Sequence, residues 1–156
     1  MGLFNKQKPV NVELGPKLFK AIVRVMDDPT GVSEDKQIAY SGRNFKQNLQ
    51  IVGESNFQES LALFKKGWSY GLLIPEQDNP HDKNAVALYL IDPKFEIHKV
   101  GYLPKEIAHK VAKQIASLLV GKGQVVPVLA KVEGGTKEKA NLGVIAYART
   151  QAISFE

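Results

Sequence analysis

The chain beyond residue 48 is a series of short apolar runs separated by turn-forming residues. Each run contains β-branched or aromatic residues and is bounded by Gly, Pro, Asn or Asp, which is typical of antiparallel strands. The predicted strands are Leu49–Gly53, Ser69–Pro75, Asn84–Ile91, Ile97–Tyr102, Gln124–Val132 and Leu142–Arg149. Six short strands with few helices predict a mainly β domain, built as a small and strongly curved sheet or barrel.

A short helix is predicted between the first two strands, in the segment NFQESLALF. Asn56 is its expected N-cap, because Glu59 follows three residues later as in a capping-box variant. The large apolar residues predicted to be buried in and after this helix are Phe57, Leu61, Phe64 and Trp68.

A longer helix is predicted from Pro104 to Leu119, with proline at its start and Gly121 just beyond its end. Apolar residues recur at positions 107, 111, 115 and 118/119, the 3.6-residue period of one buried face. The opposite face carries Lys105, His109, Lys110 and Lys113. Two interpretations of these lysines stay open, since they are either contacts for an acidic partner or an ordinary solvated surface.

The first 44 residues are predicted to form an N-terminal extension, and residues 45–156 the main domain. KAIVRVMDD (Lys20–Asp28) has the composition of a strand. A turn-rich loop and a weaker strand at Lys36–Ser41 follow it, a pattern compatible with a β-hairpin. GRNFKQN (Gly42–Asn48) is the expected connector.

The distribution of charge indicates the kind of partner. The 156 residues carry a net charge of +5 with a pI near 9.3, and their 44% hydrophobic content is enough for one compact domain plus an extension. The excess is local, because residues 94–139 contain nine Lys and four Glu. Such a segment favours an acidic partner, such as nucleic acid or an anionic surface.

Several classes of protein are disfavoured. The absence of cysteine excludes disulfides and thiolate metal sites, and we expect neither a metal nor a cofactor. MGLFNKQKP lacks the apolar core of a signal peptide, and no apolar run approaches the roughly 20 residues that cross a bilayer. A cytoplasmic protein with no membrane partner is therefore expected.

The segment QDNPHDKNAVALYL, residues 77–90, gathers polar residues at the start of one predicted strand. Asn79 before Pro80 favours a turn, and Asp82 and Asn84 can each accept a hydrogen bond from nearby backbone N–H groups. On residue chemistry alone, these side chains either cap a hairpin or form a binding site.

The ordered combination of IVGESNFQESL, LLIPEQDNPHDKNAVALYL and HKVGYLPKEIAHKVAKQI closely resembles the HIRAN domain, from about Leu49 to Arg149. The resemblance implies an OB-like six-stranded barrel. In eukaryotic members, where the domain is fused to large DNA-repair helicases, it implies capture of the free 3′ end of single-stranded DNA. This chain has no GxxxxGK[ST] phosphate loop, so helicase activity is not expected, and free-standing bacterial or phage members are the better comparison.

The resemblance also implies a site. Asp82 would accept a hydrogen bond from the terminal 3′-hydroxyl, His81 and Tyr102 would stack on bases, and Lys105 would contact phosphate near the start of a helix. The candidate nucleic-acid-binding residues are Ser55, Asn56, His81, Asp82, Lys83, Asn84, Tyr102, Lys105, Lys137 and Lys139.

Two departures from the family pattern weaken the expected binding. After Val-Gly, the DNA-binding relatives carry an arginine and an aromatic, whereas Gly53 and Glu54 are followed here by Ser55 and Asn56. The segment 134–141 also lacks an aromatic residue. Each base–aromatic stack contributes about 1–3 kcal/mol, so we expect a lower affinity than in those relatives.

Two other functions are alternatives to a non-catalytic nucleic-acid-binding module. An enzyme is disfavoured, because His81 and Asp82 lack further metal ligands on a helical scaffold, and neither Ser55 nor Ser69 lies in a nucleophile elbow. A protein-interaction domain stays as the alternative, with a peptide in the same groove and a protein partner on the N-terminal extension.

Overall fold

The computed structural model describes residues 16–27, 48–64, 67–121, 123–148 and 153–154. The strands are β1 (Asn48–Gln50), β2 (Trp68–Glu76), β3 (Ala85–Ile91), β4 (Ile97–Tyr102), β5 (Gln124–Gly134), β6 (Leu142–Ala148) and β7 (Ile153–Ser154). The helices are α1 (Pro16–Asp27), α2 (Gln58–Ala62) and α3 (Lys105–Ala116). A 3₁₀ turn at Glu54–Phe57 leads into α2, and a π-helical turn at Ser117–Gly121 extends α3.

The strands form one antiparallel sheet in the order β1-β6-β5-β2-β3-β4, with β7 added beside β5. Val52, just after β1, pairs with Tyr102 at the end of β4 through two backbone hydrogen bonds of 2.8 and 2.9 Å. These bonds join the two ends of the curled sheet. The mainly β, OB-like fold is confirmed, and each of the six predicted strands is present within three residues of its expected bounds.

The interior of the barrel is filled by alternate residues of the strands, because successive side chains of a strand point to opposite faces. On β2 and β5, Leu73, Val126, Val128 and Ala130 point inward and are fully or almost fully buried. The apolar face predicted for α3 covers one end of this core. Its buried members are Ala108, Val111, Ala112 and Ile115, with Ile107 and Leu118 packed at the margin.

A second apolar cluster lies on the outer face of the sheet, where α1 and the end of α3 cover β2 and β5. Its buried residues are Leu18, Ile22, Leu72, Ile91, Leu119 and Val125. The strand predicted at Lys20–Asp28 is therefore wrong, since these residues up to Asp27 are helical. The four-residue spacing of Leu18 and Ile22 places both on one helical face, and their burial outweighs the β propensity of the Ile-Val pair.

The remaining predictions for the extension lie outside the described residues. They are the strand at Lys36–Ser41, the turn-rich loop before it, most of the connector at Gly42–Asn48, and the domain boundary at residues 44–45. No helix in the described part of the chain is long and apolar enough to span a membrane.

The start of the α2 segment differs from the prediction. Asn56 is not an N-cap, because it lies within the 3₁₀ turn and its backbone N–H donates to the carbonyl of Gly53. Gly53 itself begins the turn at φ 78°, a left-handed conformation that favours glycine. Leu61 and Phe64 are buried as predicted. Phe57 is only half-buried, and the prediction of Trp68 as a core residue is wrong because its side chain is 54% exposed.

Gly101, in the Val-Gly-Tyr segment, lies where β4 meets the chain after β1. A Cβ atom there would lie 2.4 Å from the Ile51 side chain and 3.0 Å from the Val52 carbonyl oxygen. We therefore expect Gly101→Ala to lower the free energy of unfolding by about 1–3 kcal/mol, because buried overpacking forces neighbours apart. Gly67→Ala is the matched control, since nothing lies within 4 Å of its Cβ position. Denaturant unfolding that shows equal stability for the two variants would contradict this account of the closure.

Candidate nucleic-acid interface

The loop between β2 and β3 is fixed by its own polar side chains. The Oδ1 atom of Asn79 accepts from the backbone N–H groups of His81 and Asp82, at 2.8 and 3.0 Å. The Oδ1 atom of Asp82 accepts from the N–H of Asn84 at 2.9 Å. Two successive Asx turns thus hold the loop, which confirms the capping interpretation for Asp82. They also hold its carboxylate at a defined place and leave His81 exposed.

The Asp82 carboxylate faces the polar side of α3. The Nε2 atom of His109 lies 3.2 Å from both carboxylate oxygens of Asp82. The hydrogen bond from the Asn84 N–H group is the main reason that the pKa of Asp82 lies below its usual value. Burial alone would raise this pKa, but His109 and the charge of the nearby Lys105 lower it further. Asp82 is therefore an anion at neutral pH, and its side chain is 23% exposed.

Glu76, the last residue of β2, joins this loop to Tyr102. The Tyr102 hydroxyl donates to Oε1 of Glu76 at 2.8 Å, and Nδ2 of Asn79 donates to the same oxygen at 3.0 Å. The other oxygen, Oε2, forms an ion pair with Lys99. One carboxylate thus sets the position of the proposed stacking ring and the base of the loop.

The charges of this network are mutually stabilised. Burial alone would raise the pKa of Glu76, but hydrogen bonds from Lys99, Asn79 and Tyr102 bring it below its usual value. Burial opposes the charge of Lys99 as well, and its bonds to Glu76 and Tyr102 outweigh that effect and raise its pKa. The pKa of Tyr102 is raised by burial and by its bond to Glu76. At neutral pH the ion pair is charged and the phenol keeps its proton.

Tyr102 also connects to the 3₁₀ turn that carries Ser55 and Asn56. Its ring centroid lies 6.1 Å from that of Phe57. Oε2 of Glu54 accepts from the N–H of Val144 at 2.7 Å, which fastens the turn to β6. The side chains of Ser55 and Asn56 are exposed on the surface of this turn.

The β5–β6 loop lies beyond the 3₁₀ turn. Lys137 and Lys139 are both exposed on it. The loop is closed by hydrogen bonds between Thr136 and Lys139, at 2.9 and 3.0 Å. The Lys139 ammonium group and the Glu54 carboxylate both approach Gly143, so this lysine borders the 3₁₀ turn.

The structure thus places the candidate residues in two groups. Asp82 and Lys105 interact at one place, and Tyr102 is tied to them through Glu76 and Asn79. Lys83 and His81 are exposed on the same loop, and Asn84 is half-buried at its end. Ser55 and Asn56 form a second group on the 3₁₀ turn beside Tyr102, and Lys137 and Lys139 lie on the loop that borders this turn.

Sequence reasoning missed Glu76, Lys99 and His109 as parts of this site. Strand alternation places Glu76 and Lys99 on the outer face of their strands, but the register that makes them meet across β3 is set by the folded sheet. His109 was placed on the polar face of its helix, four residues after Lys105 and hence on the same side. The four-residue spacing from Lys105 was the feature of the sequence that could have indicated His109.

A group able to hold a metal ion lies elsewhere, at the β3–β4 turn. Ligand atoms of Asp92, Glu96 and His98 all lie within 4.8 Å of one another. The Asp92 carboxylate accepts from the N–H groups of Lys94 and Glu96 and lies 2.8 Å from Nε2 of His98. These bonds cap a tight turn, and the capping accounts for the closeness of the three side chains.

Fold and site together define a small OB-like barrel with a charged, lysine-bordered edge, a class of domain that binds oligonucleotides or oligosaccharides. The model of the HIRAN domain family matches residues 39–134, more than half of the sequence, and the chain belongs to that family. HIRAN domains are in general nucleic-acid-binding modules and are not catalytic by themselves.

The similarity to solved structures is weaker than the family match. A crystal structure of a protein from Lactobacillus plantarum, solved by a structural genomics consortium, is similar with 20% sequence identity and a TM-score of 0.42. The match covers 67% of this chain and 93% of that one. A search of curated proteins finds no significant match.

Proposed function

We propose that this protein holds the free 3′ end of a single DNA strand at the edge formed by the β2–β3 loop, the first turns of α3 and Tyr102. The observation that supports this most is the position of Asp82. An ionised carboxylate is fixed by an Asx turn at a partly exposed place, beside the cationic face of a helix.

Such a carboxylate discriminates between strand ends. A 3′-hydroxyl donates a charge-assisted hydrogen bond to Asp82, which is stronger than a bond between neutral groups. A 3′-phosphate at the same place brings two negative charges together and is rejected by repulsion. Lys105 and the N-terminal backbone N–H groups of α3 attract the phosphate of the preceding nucleotide.

Stacking supplies the second part of the binding energy. His81 is exposed on the loop, and Tyr102 presents a ring whose hydroxyl is already bound to Glu76. A ring fixed in this way loses little freedom when a base stacks on it. Ser55 and Asn56 offer hydrogen bonds in place of the arginine and the aromatic ring of the DNA-binding relatives, so the affinity is lower.

Fluorescence anisotropy tests the proposal with labelled single-stranded, double-stranded and 3′-phosphorylated DNA at two salt concentrations. The single strand with a free 3′-hydroxyl should bind best, and its affinity should fall as salt rises, because phosphate contacts release counterions. Equal affinity for 3′-hydroxyl and 3′-phosphate ends would overturn the end-binding mechanism.

Lys105→Ala should weaken the binding of all single strands by a similar factor. The reason is that Lys105 contacts phosphate, which carries no sequence information. The slope of log affinity against log salt should become shallower by about 1. Lys94→Ala, an exposed lysine on the β3–β4 turn, makes the same charge change away from the site. If both variants lowered the affinity and the slope equally, the effect would be one of net charge, and Lys105 would have no specific role.

A protein-interaction domain is the second candidate. It is favoured by Ser55 and Asn56, which stand where the DNA-binding relatives carry an arginine and an aromatic residue. It predicts that anisotropy with DNA stays at the level of non-specific binding, with no preference among the ends. The same titration therefore decides between the two functions.

A further inference from the structure

Trp68 is a large aromatic residue left exposed on the outer face of the sheet. It is the single tryptophan of the chain and the first residue of β2, and 54% of it is exposed. Exposing an indole ring forgoes the favourable burial that most tryptophans have. Tryptophan is enriched at binding surfaces, because its ring offers a large apolar face together with one polar N–H group.

Two other side chains complete a surface around this ring. Trp68 pairs with Lys131 on β5, and the Lys131 ammonium nitrogen lies 5.9 Å from the centre of the indole. Tyr147 on β6 pairs with Leu129, and its ring centroid lies 5.7 Å from that of Trp68 at an angle of 44°. Leu129 and Lys131 are two residues apart, so all three side chains share the outer face. We call Trp68, Lys131 and Tyr147 the outer platform.

Helix α1 covers the neighbouring part of the same face. Phe19 of α1 contacts Tyr70, and Leu18 and Ile22 bury Leu72. Trp68 lies one outward position before Tyr70 on β2. Within the described residues, this face therefore has a part that α1 covers and that belongs to the core, and a part that ends in two aromatic rings and a cation.

The chemistry of the outer platform suits an unpaired nucleic acid strand. Bases stack on aromatic faces regardless of sequence, and lysine beside the rings attracts the phosphate between two bases. An apolar protein partner would instead favour a larger patch without an exposed cation at its centre. The net charge of +5 favours an anionic partner as well.

The outer platform is also within reach of a strand held at Asp82. Trp68 begins β2 and Glu76 ends it just before the Asp82 loop, eight residues apart and about 26 Å at the rise of a strand. An OB fold covers roughly 4–16 nucleotides of a single strand. A strand whose 3′ end lies at Asp82 is long enough to continue across the barrel.

We propose that Trp68, Lys131 and Tyr147 form a second contact surface for single-stranded nucleic acid, which takes nucleotides upstream of the 3′ end. This inference rests on the proposed function, because it extends the same strand beyond the Asp82 site. It predicts that short strands use only the Asp82 site and that longer strands use both surfaces.

The intrinsic fluorescence of Trp68 reports directly on this surface. Oligo-dT of 12 nucleotides with a free 3′-hydroxyl should quench the emission, because a base stacks on the ring, and oligo-dT of 3 nucleotides should leave it unchanged. Trp68→Ala should weaken binding of the 12-mer by about fivefold to a hundredfold, the range of one lost stack. Binding of the 3-mer should not change, and Trp68→Phe should retain part of the 12-mer affinity. Thermal unfolding checks that the variants fold.

The outcomes separate the two proposals. If Trp68→Ala bound the 12-mer as tightly as the wild type while the preference for a free 3′-hydroxyl persisted, the outer platform would be refuted and the end-binding site would stand. Quenching by the 12-mer without any end preference would support the outer platform and refute the Asp82 mechanism. Emission that responds to protein concentration and not to DNA would assign this face to a second copy of the chain and refute the inference. Absence of binding by either strand would refute both.

Discussion

Asp82→Asn is expected to abolish the preference for a 3′-hydroxyl over a 3′-phosphate end. Asparagine keeps an oxygen that can accept from the Asn84 N–H, so the Asx turn is preserved. The negative charge is lost, and with it both the charge-assisted bond to the hydroxyl and the repulsion of a phosphate. We expect a wild-type preference of about tenfold to a hundredfold, equivalent to about 1.4–2.8 kcal/mol, to fall to within about twofold.

Competition anisotropy with paired 3′-hydroxyl and 3′-phosphate strands measures this preference. Asp78→Asn is the matched control, because Asp78 is exposed on the same loop and the substitution changes the net charge equally. An Asp82→Asn variant that keeps the wild-type preference would refute the role of this carboxylate. Loss of the preference in both variants would attribute it to the general charge of the loop.

Glu76→Gln is expected to lower the free energy of unfolding by about 2 kcal/mol at pH 7, the range for hydrogen bonds to charged groups. The carboxylate is 15% exposed and binds Lys99, Tyr102 and Asn79 at once. Its removal leaves the half-buried Lys99 cation without its counter-charge. Because Tyr102 and the β2–β3 loop both depend on this residue, binding of single strands should weaken as well.

The effect of Glu76 on stability should depend on pH in one direction. The pKa of Glu76 in the folded protein lies below its usual value of 4.5. Its charged interactions therefore stabilise the fold fully above pH 4.5 and are lost as the pH falls through the lower, folded-state value. The difference in unfolding free energy between the wild type and Glu76→Gln should shrink over that range.

Denaturant unfolding at neutral pH and at several values below pH 4.5 measures this difference. Glu59→Gln, on the exposed side of α2, is the control, and its stability should differ little from the wild type at any of these values. A Glu76→Gln deficit that is constant with pH would show that the charge of this residue contributes nothing.

The barrel could be predicted from the sequence because its strands are short, strongly patterned and bounded by turn residues. The exact agreement at Ile97–Tyr102 is an example, with a turn before it and Pro104 after it. Helix α1 could not be predicted in the same way. Its Ile-Val pair has strand propensity, and its helical form depends on packing against Leu72 and Val125, which lie far away in sequence.

Only part of the candidate site could be predicted from the sequence, for a similar reason. Asp82 and Lys105 belong to local motifs, and local motifs can be recognised in a single sequence. Glu76 and Lys99 meet only because β2, β3 and β4 pair in a particular register, with a shift between Leu88 and Tyr89. Trp68 was predicted as core because tryptophan is usually buried, and its exposure depends on which part of the sheet α1 covers, which local sequence does not specify.

In the proposed mechanism, the β2–β3 loop and the start of α3 together bind a strand terminus. The imidazole resonances of the three histidines test it most directly, in an NMR titration with a trinucleotide that has a free 3′-hydroxyl. His81 and His109 flank Asp82, whereas His98 lies at the far end of β3 and β4, against Asp92 and Phe64. We predict that the His81 and His109 signals shift on binding and that the His98 signal does not. A shift confined to His98, or no shift at His81 and His109 while the trinucleotide binds, would contradict the account.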